Sequence, residues 1–311
     1  MKKISHLKVM KLFSMKKTIP LLPWAGKKSI YEFIKEHIDS SGRLPYEFDD
    51  LPDSKEYFRE RKIRWVGGAL DSLMGGASKD ANQQARMLYL LLRKEVSNPS
   101  DKNRRATYLF AMHHEVIGCV DSLLEMIRKG FAFNSNILKQ EAIWLAAKSA
   151  HRGPTKLGIA LMGLFQCEEH LELLSTLGKH DEFTLYSVVA MENGMENANL
   201  HLFELAKHID GWGKINLLQR LEADSKDVKA WMLRKGCRNN IMNEYLAYTC
   251  AVKGDLYKAL SQADIDMDLY KGAGEIVDAL INGGPAEDID DYKQSMPVIV
   301  NYLRHSKRLA S

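Results

Sequence analysis

The chain has 311 residues, of which 45% are hydrophobic and 27% charged, the ordinary balance of a soluble folded protein. No apolar run approaches the roughly 20 residues that a membrane-crossing helix needs; the longest, Leu157 to Phe165, has nine residues and two glycines. The net charge of +4 is unevenly spread: residues 1–28 hold eight lysines and no acid, which leaves −4 on the other 283 residues. A nucleic-acid binder is expected to carry positive charge on its folded body, so nucleic acid is not the partner this distribution favours.

The lysine-rich start reads as a flexible basic arm over residues 1–26, closed by Pro20, Pro23 and Gly26. Lys8 and Lys11 interrupt its apolar residues, whereas a secretory signal needs an unbroken apolar stretch. The four cysteines, Cys119, Cys167, Cys237 and Cys250, form no CxxC pair and sit in apolar helical contexts. Together these features predict a reducing, cytoplasmic setting.

Residues 27–76 predict an irregular helical region. A first helix is expected near Ser29–Ile38, with Ile30, Phe33, Ile34 and Ile38 on one face, and a second near Ser54–Met74 after Gly42, Pro45 and Pro52. From 77 to 311 the pattern becomes a helical-repeat array. Ser78 is a plausible N-cap, and Ala85, Leu88, Leu92 and Val96 follow at helical spacing. Further helices are expected near 100–112, 114–129, 136–151, 155–165, 168–177, 182–192, 196–209, 213–221, 226–235, 240–253, 266–281 and 288–304. Asp181 and Ser225 read as start signals. Gly130, Gly153, Gly178, Gly194, Gly211, Gly236, Gly254 and Gly283 read as left-handed stops after leucine-rich stretches. No alternating β-branched run bounded by turns is present, so the fold class is all-α. Helix pairs recurring at roughly 30–45 residues suggest a HEAT-like α-solenoid of stacked hairpins, whose long concave surface usually binds something large.

Candidate chemistry is sparse. His201, Glu204 and His208 fall at i, i+3 and i+7, on one side of a helix. Two histidines and a carboxylate are the donor set of a facial iron site. The same three residues also read as the wet face of a helix whose buried stripe is Leu202, Leu205, Ala206 and Ile209. In His113-His114-Glu115 and Glu168-Glu169-His170, adjacent residues diverge by about 100° and do not converge readily on one ion. Gly272-Ala273-Gly274 has two glycines of a dinucleotide fingerprint, but Val277 holds the third position and no strand precedes it; Gly67-Gly68 and Gly75-Gly76 lack the strand as well. The cysteines do not fit a haem-thiolate loop, and no Ser–His–Asp order stands out. Trp144 and Trp231 fall on apolar stripes. Trp212, between Gly211 and Gly213, reads either as a plug between hairpins or as a ligand contact.

Several stretches carry a resemblance: Trp65-Val66-Gly67-Gly68-Ala69-Leu70-Asp71, Gly211-Trp212-Gly213-Lys214-Ile215-Asn216, Leu221-Glu222, Val228 to Gly236, and Asn240 to Ala247. Over about residues 60–255 the chain is similar to a group of bacterial helical-repeat proteins that often carry the name limonene hydroxylase. The resemblance implies oxidation of limonene to perillyl alcohol and carveol, and NAD-linked oxidation to perillyl aldehyde and carvone. It brings no catalytic residues that map onto this sequence. C–H hydroxylation calls for haem, flavin or a non-haem metal, and alcohol oxidation for a nicotinamide pocket on a parallel sheet; the residues display no strong site for either. The residues by themselves favour a binding or scaffold protein that holds a protein partner on its concave face. An NAD(H)-dependent oxidoreductase acting on a monoterpene is the alternative, and a nucleic-acid binder the third.

Overall fold

The periodic apolar positions fold into helices throughout. The computed structural model describes residues 22–59, 61–73, 80–130 and 133–309, and among these there are seventeen α-helices and no strand. In chain order they are α1 (Ile30–His37), α2 (Ser54–Tyr57), α3 (Ala69–Leu73), α4 (Ala81–Ser97), α5 (Asp101–His113), α6 (Val120–Lys129), α7 (Ser135–Lys148), α8 (Arg152–Met162) and α9 (Leu171–Leu177). Then follow α10 (Asp181–Gly194), α11 (Ala198–Ala206), α12 (Gly211–Arg220), α13 (Lys226–Trp231), α14 (Glu244–Lys253), α15 (Leu256–Leu260), α16 (Met267–Asn282) and α17 (Ser295–Leu309). The stripe expected on α4 is buried, as Ala85, Leu88, Leu92 and Val96 all lie in the core. Ser225 caps α13 as its sequence position predicts, accepting from the Val228 N–H at 3.2 Å.

Helices α5, α8, α10, α12, α14 and α16 pack one on the next, and α7, α9 and α11 flank this row. That order is compatible with stacked hairpins. The apolar stripes merge into one core running from Ile30 to Val298.

The departures from expectation have local causes. The second N-terminal helix is two short pieces, α2 and α3, because Gly68 takes a left-handed φ of 72° and turns the chain under α10. Met74 and Ser78 lie outside the described residues. A helix expected from residue 288 starts only at Ser295: the Asp288 and Asp291 carboxylates accept nearby backbone N–H groups and favour a turn. The short helix α15 was not foreseen. Residues 1–21 of the basic arm lie outside the described residues, but its end is docked: the Trp24 ring sits 4.9 Å from both Tyr108 and Trp144.

Six of the eight expected glycine stops do lie at helix ends, Gly130, Gly178, Gly254 and Gly283 as C-caps, Gly194 as the last residue of α10 and Gly236 at the close of the turn that follows α13, but most do so without the left-handed conformation expected of them. Of the eight, only Gly211 and Gly283 have a positive φ, and Gly211 opens a helix rather than closing one. Gly153 lies inside α8, in the same helix as Gly158. What these two glycines supply is absence of bulk. A Cβ on Gly153 would lie 2.0 Å from the Ala111 carbonyl oxygen, and one on Gly158 would lie 2.3 Å from the Ala146 backbone nitrogen. The backbones of α5, α7 and α8 meet through these gaps.

Helix propensity alone favours Gly158→Ala by about 1 kcal/mol. The contact with α7 reverses that sign, and the variant is expected to lose about 1–3 kcal/mol in urea unfolding. A stabilised variant would show that the two helices do not touch there.

Candidate functional site

The N-terminal region does not stand apart from the array. Helix α1 packs on α7 and α9, after which residues 39–73 cross the array as a strap, and α3 settles on α10 and α12. Polar groups fasten the strap at each hairpin it passes. Lys179 donates to the Gly42 carbonyl, Arg43 to the Lys207 carbonyl at 2.6 Å, and the His208 ring meets the Ser41 carbonyl at 3.0 Å.

The centre of this interface is ionic and buried. The start of α8 presents Arg152 and Lys156, one turn apart, immediately before the longest apolar run of the chain. The Arg152 guanidinium donates to Asp53 at 3.1 Å, to the Ser54 hydroxyl at 2.9 Å and to Glu182 at 2.9 Å. Its backbone N–H also donates to Asp53, at 2.8 Å. Lys156 lies 2.6 Å from Asp71 and 2.6 Å from Glu182. Glu182, on α10, therefore bridges both cations, one with each carboxylate oxygen. All five side chains are at most 9% exposed. The Tyr57 ring lies 4.0 Å from the Arg152 guanidinium carbon and 3.9 Å from that of Arg61.

Burial by itself would raise the Glu182 carboxyl, but Lys156 and Arg152 together hold it down at about 2. Burial likewise opposes the charge on Lys156, yet Asp71 and Glu182 outweigh it and keep the ammonium charged. Burial pushes Asp71 above the ordinary carboxylate range, against the pull of Lys156. Tyr57 and Tyr186 are also driven upward by burial and keep their protons. Both cations are thus saturated by carboxylates of the chain itself, which makes the cluster a clamp between strap and array.

Histidines flank the clamp on either side. His180 caps α10: its Nδ1 accepts from the Glu182 N–H at 3.1 Å, which leaves Nε2–H to donate to the Asp49 carbonyl at 3.0 Å. Burial lowers its pKa, in keeping with a neutral ring. His151 precedes α8 and lies 2.7 Å from the Tyr108 hydroxyl and 2.9 Å from the Lys27 ammonium. Two hollows open beside the clamp. One, of about 380 Å³, is lined by Asp53, Tyr57, Arg59, Arg61, His113 and His151 among others. The other, of about 230 Å³, has Arg152, His180 and Glu182 among its lining residues together with Tyr46, Trp65 and Val66.

Asp181 was expected to start its own helix. It is the first residue of α10, but its carboxylate serves α12, accepting from the Trp212 N–H at 3.1 Å and the Gly213 N–H at 3.2 Å. Gly211, at φ 67°, and Gly68 close around it: a Cβ on Gly211 would lie 2.1 Å from the Asp181 carboxylate, and one on Gly68 would lie 2.6 Å from its carbonyl. Asn216 donates to the Ser72 hydroxyl at 2.8 Å. The segments 65–71 and 211–216, singled out separately in the sequence, therefore meet in space. Burial, against the two N–H donors, raises the Asp181 carboxyl to about 8.

The other sequence candidates are dispersed. Among the described residues no group of three or more His, Cys, Asp or Glu side chains is placed to hold a metal ion, so His201, Glu204 and His208 do not form the triad their spacing offered. Glu204 pairs instead with Lys207 at 2.6 Å, and His208 turns to the strap. Trp212 is buried against Tyr245, with ring centroids 5.1 Å apart, as a packing residue. Glu115 leaves its neighbouring histidines to meet Arg61 and the Tyr57 hydroxyl. Glu169 pairs with Lys139 at 2.8 Å. Gly272, Ala273 and Gly274 lie within α16. All four cysteines are buried free thiols. Sequence reasoning passed over Asp53, Asp71, Arg152, Lys156 and Glu182; the available signal was two cations one turn apart amid Leu157, Ile159 and Leu161.

Arg152→Met leaves Asp53 without its main cation and is expected to cost about 3–5 kcal/mol. Faster limited proteolysis within residues 58–68 would report the loosened strap; an unchanged cleavage rate would refute the clamp. Asp181 gives a pH signature. Its carboxyl is protonated in the folded chain and ionised in the unfolded chain between about pH 4 and 8, so its contribution is full below that window and is lost as pH rises through it. Asp181→Asn removes this loss, and its stability relative to the parent is expected to increase from pH 4 to 8 in urea titrations.

Comparison of the chain with family models, with curated proteins and with solved structures returns no match.

Proposed function

We propose that the protein is a helical-repeat binding protein that docks a protein partner on the face crossed by the strap. One observation carries this reading. Five large apolar side chains of the strap are exposed: Tyr46, Ile63, Trp65, Val66 and Leu73. Tyr46 is 83% exposed and Val66 51%. Isolated exposed apolar residues need no explanation, but several on one anchored segment are the usual mark of an interaction surface. Tyrosine and tryptophan are also the side chains that most often dominate protein interfaces.

Tyr46, Trp65 and Val66 line one hollow together with Arg152, His180 and Glu182. The ion pairs beneath them hold the strap in place before a partner arrives, which lowers the ordering cost of association. The cations that would otherwise attract an acidic partner are already neutralised by Asp53, Asp71 and Glu182, so apolar contact at the rim supplies the attraction.

A partner captured by the full-length chain, purified and titrated back, should bind the double variant Tyr46→Ala/Trp65→Ala at least tenfold more weakly, since interface aromatics typically contribute about 2 kcal/mol or more each. The substitutions lie on exposed side chains, so the thermal transition should stay near that of the parent. Equal affinity for the two chains, or retention of the partner by an isolated distant helix pair, would overturn the proposal.

A further inference from the structure

A second site lies far along the chain from the strap. Helix α13 runs into a single π turn, Met232–Gly236, and with α15 and the start of α16 it borders an open hollow of about 530 Å³. That volume suits a small organic molecule. The walls include Ala230, Leu233, Ile265 and Leu269, which form an apolar floor. The backbone around it is unusual. The π turn carries Leu233, and Asp255 at the lip has a φ of 60°, the sole left-handed non-glycine residue among the described residues. Both kinds of departure concentrate at functional sites.

The charges on the walls specify the occupant. Lys226, Lys229 and Lys258 line the hollow, and none has an ion-pair or hydrogen-bond partner among the described residues. Lys229 is half-buried and, among the described residues, has no anion of the chain beside it. Of the acids on the same walls, Asp266 is held by Arg234 at 2.6 Å and Asp264 by Arg308. Asp224 and Asp255 remain unpaired. The lining holds four cations and four acids, but with Asp264 drawn to Arg308 outside the hollow, three free lysines face two free aspartates beside the apolar floor.

We infer that this hollow binds an amphipathic monoanion, an apolar chain or ring ending in a carboxylate. The apolar body lies on Leu233, Ile265 and Leu269, and the carboxylate meets Lys229, with Lys226 and Lys258 contributing longer-range attraction from either wall. Binding requires no movement of the strap and is independent of any partner docked there.

Decanoate titrated into the full-length chain by calorimetry is the direct test, with decanol as the neutral analogue. Saturable one-to-one binding is expected, with decanoate at least tenfold tighter than decanol, the effect of about one charge-assisted hydrogen bond. Lys229→Met should remove that preference and leave decanol binding unchanged. Ala230→Phe, which fills the floor, should weaken both ligands at least tenfold, with circular dichroism confirming the helical fold. Absence of saturable decanoate binding, equal affinity for the two ligands, or an unaltered decanoate affinity in Lys229→Met would each overturn the assignment.

Discussion

The carboxylate of Glu182 holds two cations at once, and the arrangement of the whole N-terminal half follows from that contact. Arg152 and Lys156 enter the interior because α8 is packed on every side, and a buried cation must find an anion or lose its charge. Glu182 alone provides one negative charge for two positive ones. The strap supplies the rest with Asp53 and Asp71, which come from opposite ends of an irregular segment. Its path is therefore dictated electrostatically at two points, and the chain between them needs no regular structure of its own.

Tight backbone approach is the complementary constraint. Gly153 and Gly158 let α5 and α7 come close to the same helix that carries the two cations, so α8 is fixed by contacts along its length. A similar economy of bulk surrounds Asp181, where Gly211 of α12 closes on the carboxyl group and Gly68 of the strap on the backbone carbonyl. A second ionic knot ties the beginning of the array. Arg104 grips Glu141 at 2.7 Å with Glu95 alongside, and burial together with Glu141 lifts the Glu95 carboxyl to about 8. A proton there spares the interior a second anion beside the single Arg104 cation.

The helices were largely legible in the sequence because amphipathic segments announce themselves by period. The stripe on α4 and the cap at Ser225 were recovered as read. Two features were not. Glycine was read as left-handed punctuation, yet most of the glycine stops end their helices without a positive φ, and Gly153, like Gly158 within the same helix, acts through what its neighbours occupy, which depends on residues elsewhere in the chain. The strap escaped because its order comes from pairs such as Asp53 with Arg152, and an isolated charge on an otherwise ordinary segment carries no periodic signal. His201, Glu204 and His208 show the reverse error: their spacing assumes one continuous helix, but α11 ends at Ala206, before His208, whose ring is drawn to the strap. Trp65 to Asp71 and Gly211 to Asn216 were noticed as distinctive, and their meeting around Asp181 gives that distinctiveness a physical basis.

The strap also alters how such a chain can reach its native state. A simple stack of hairpins has only local contacts, so folding can start anywhere and spread from neighbour to neighbour. Here Asp53 pairs across 99 residues with Arg152, Gly42 across 137 with Lys179, and Ser41 across 167 with His208. Contact order rises accordingly, and long loops must close before these pairs contribute anything. On a ribosome adding about 5–20 residues per second, Ser41 would wait roughly 10–30 s for His208 to emerge. During that interval the aromatic residues of the strap lack the surface that later holds them, and the nascent chain is at its most vulnerable to aggregation.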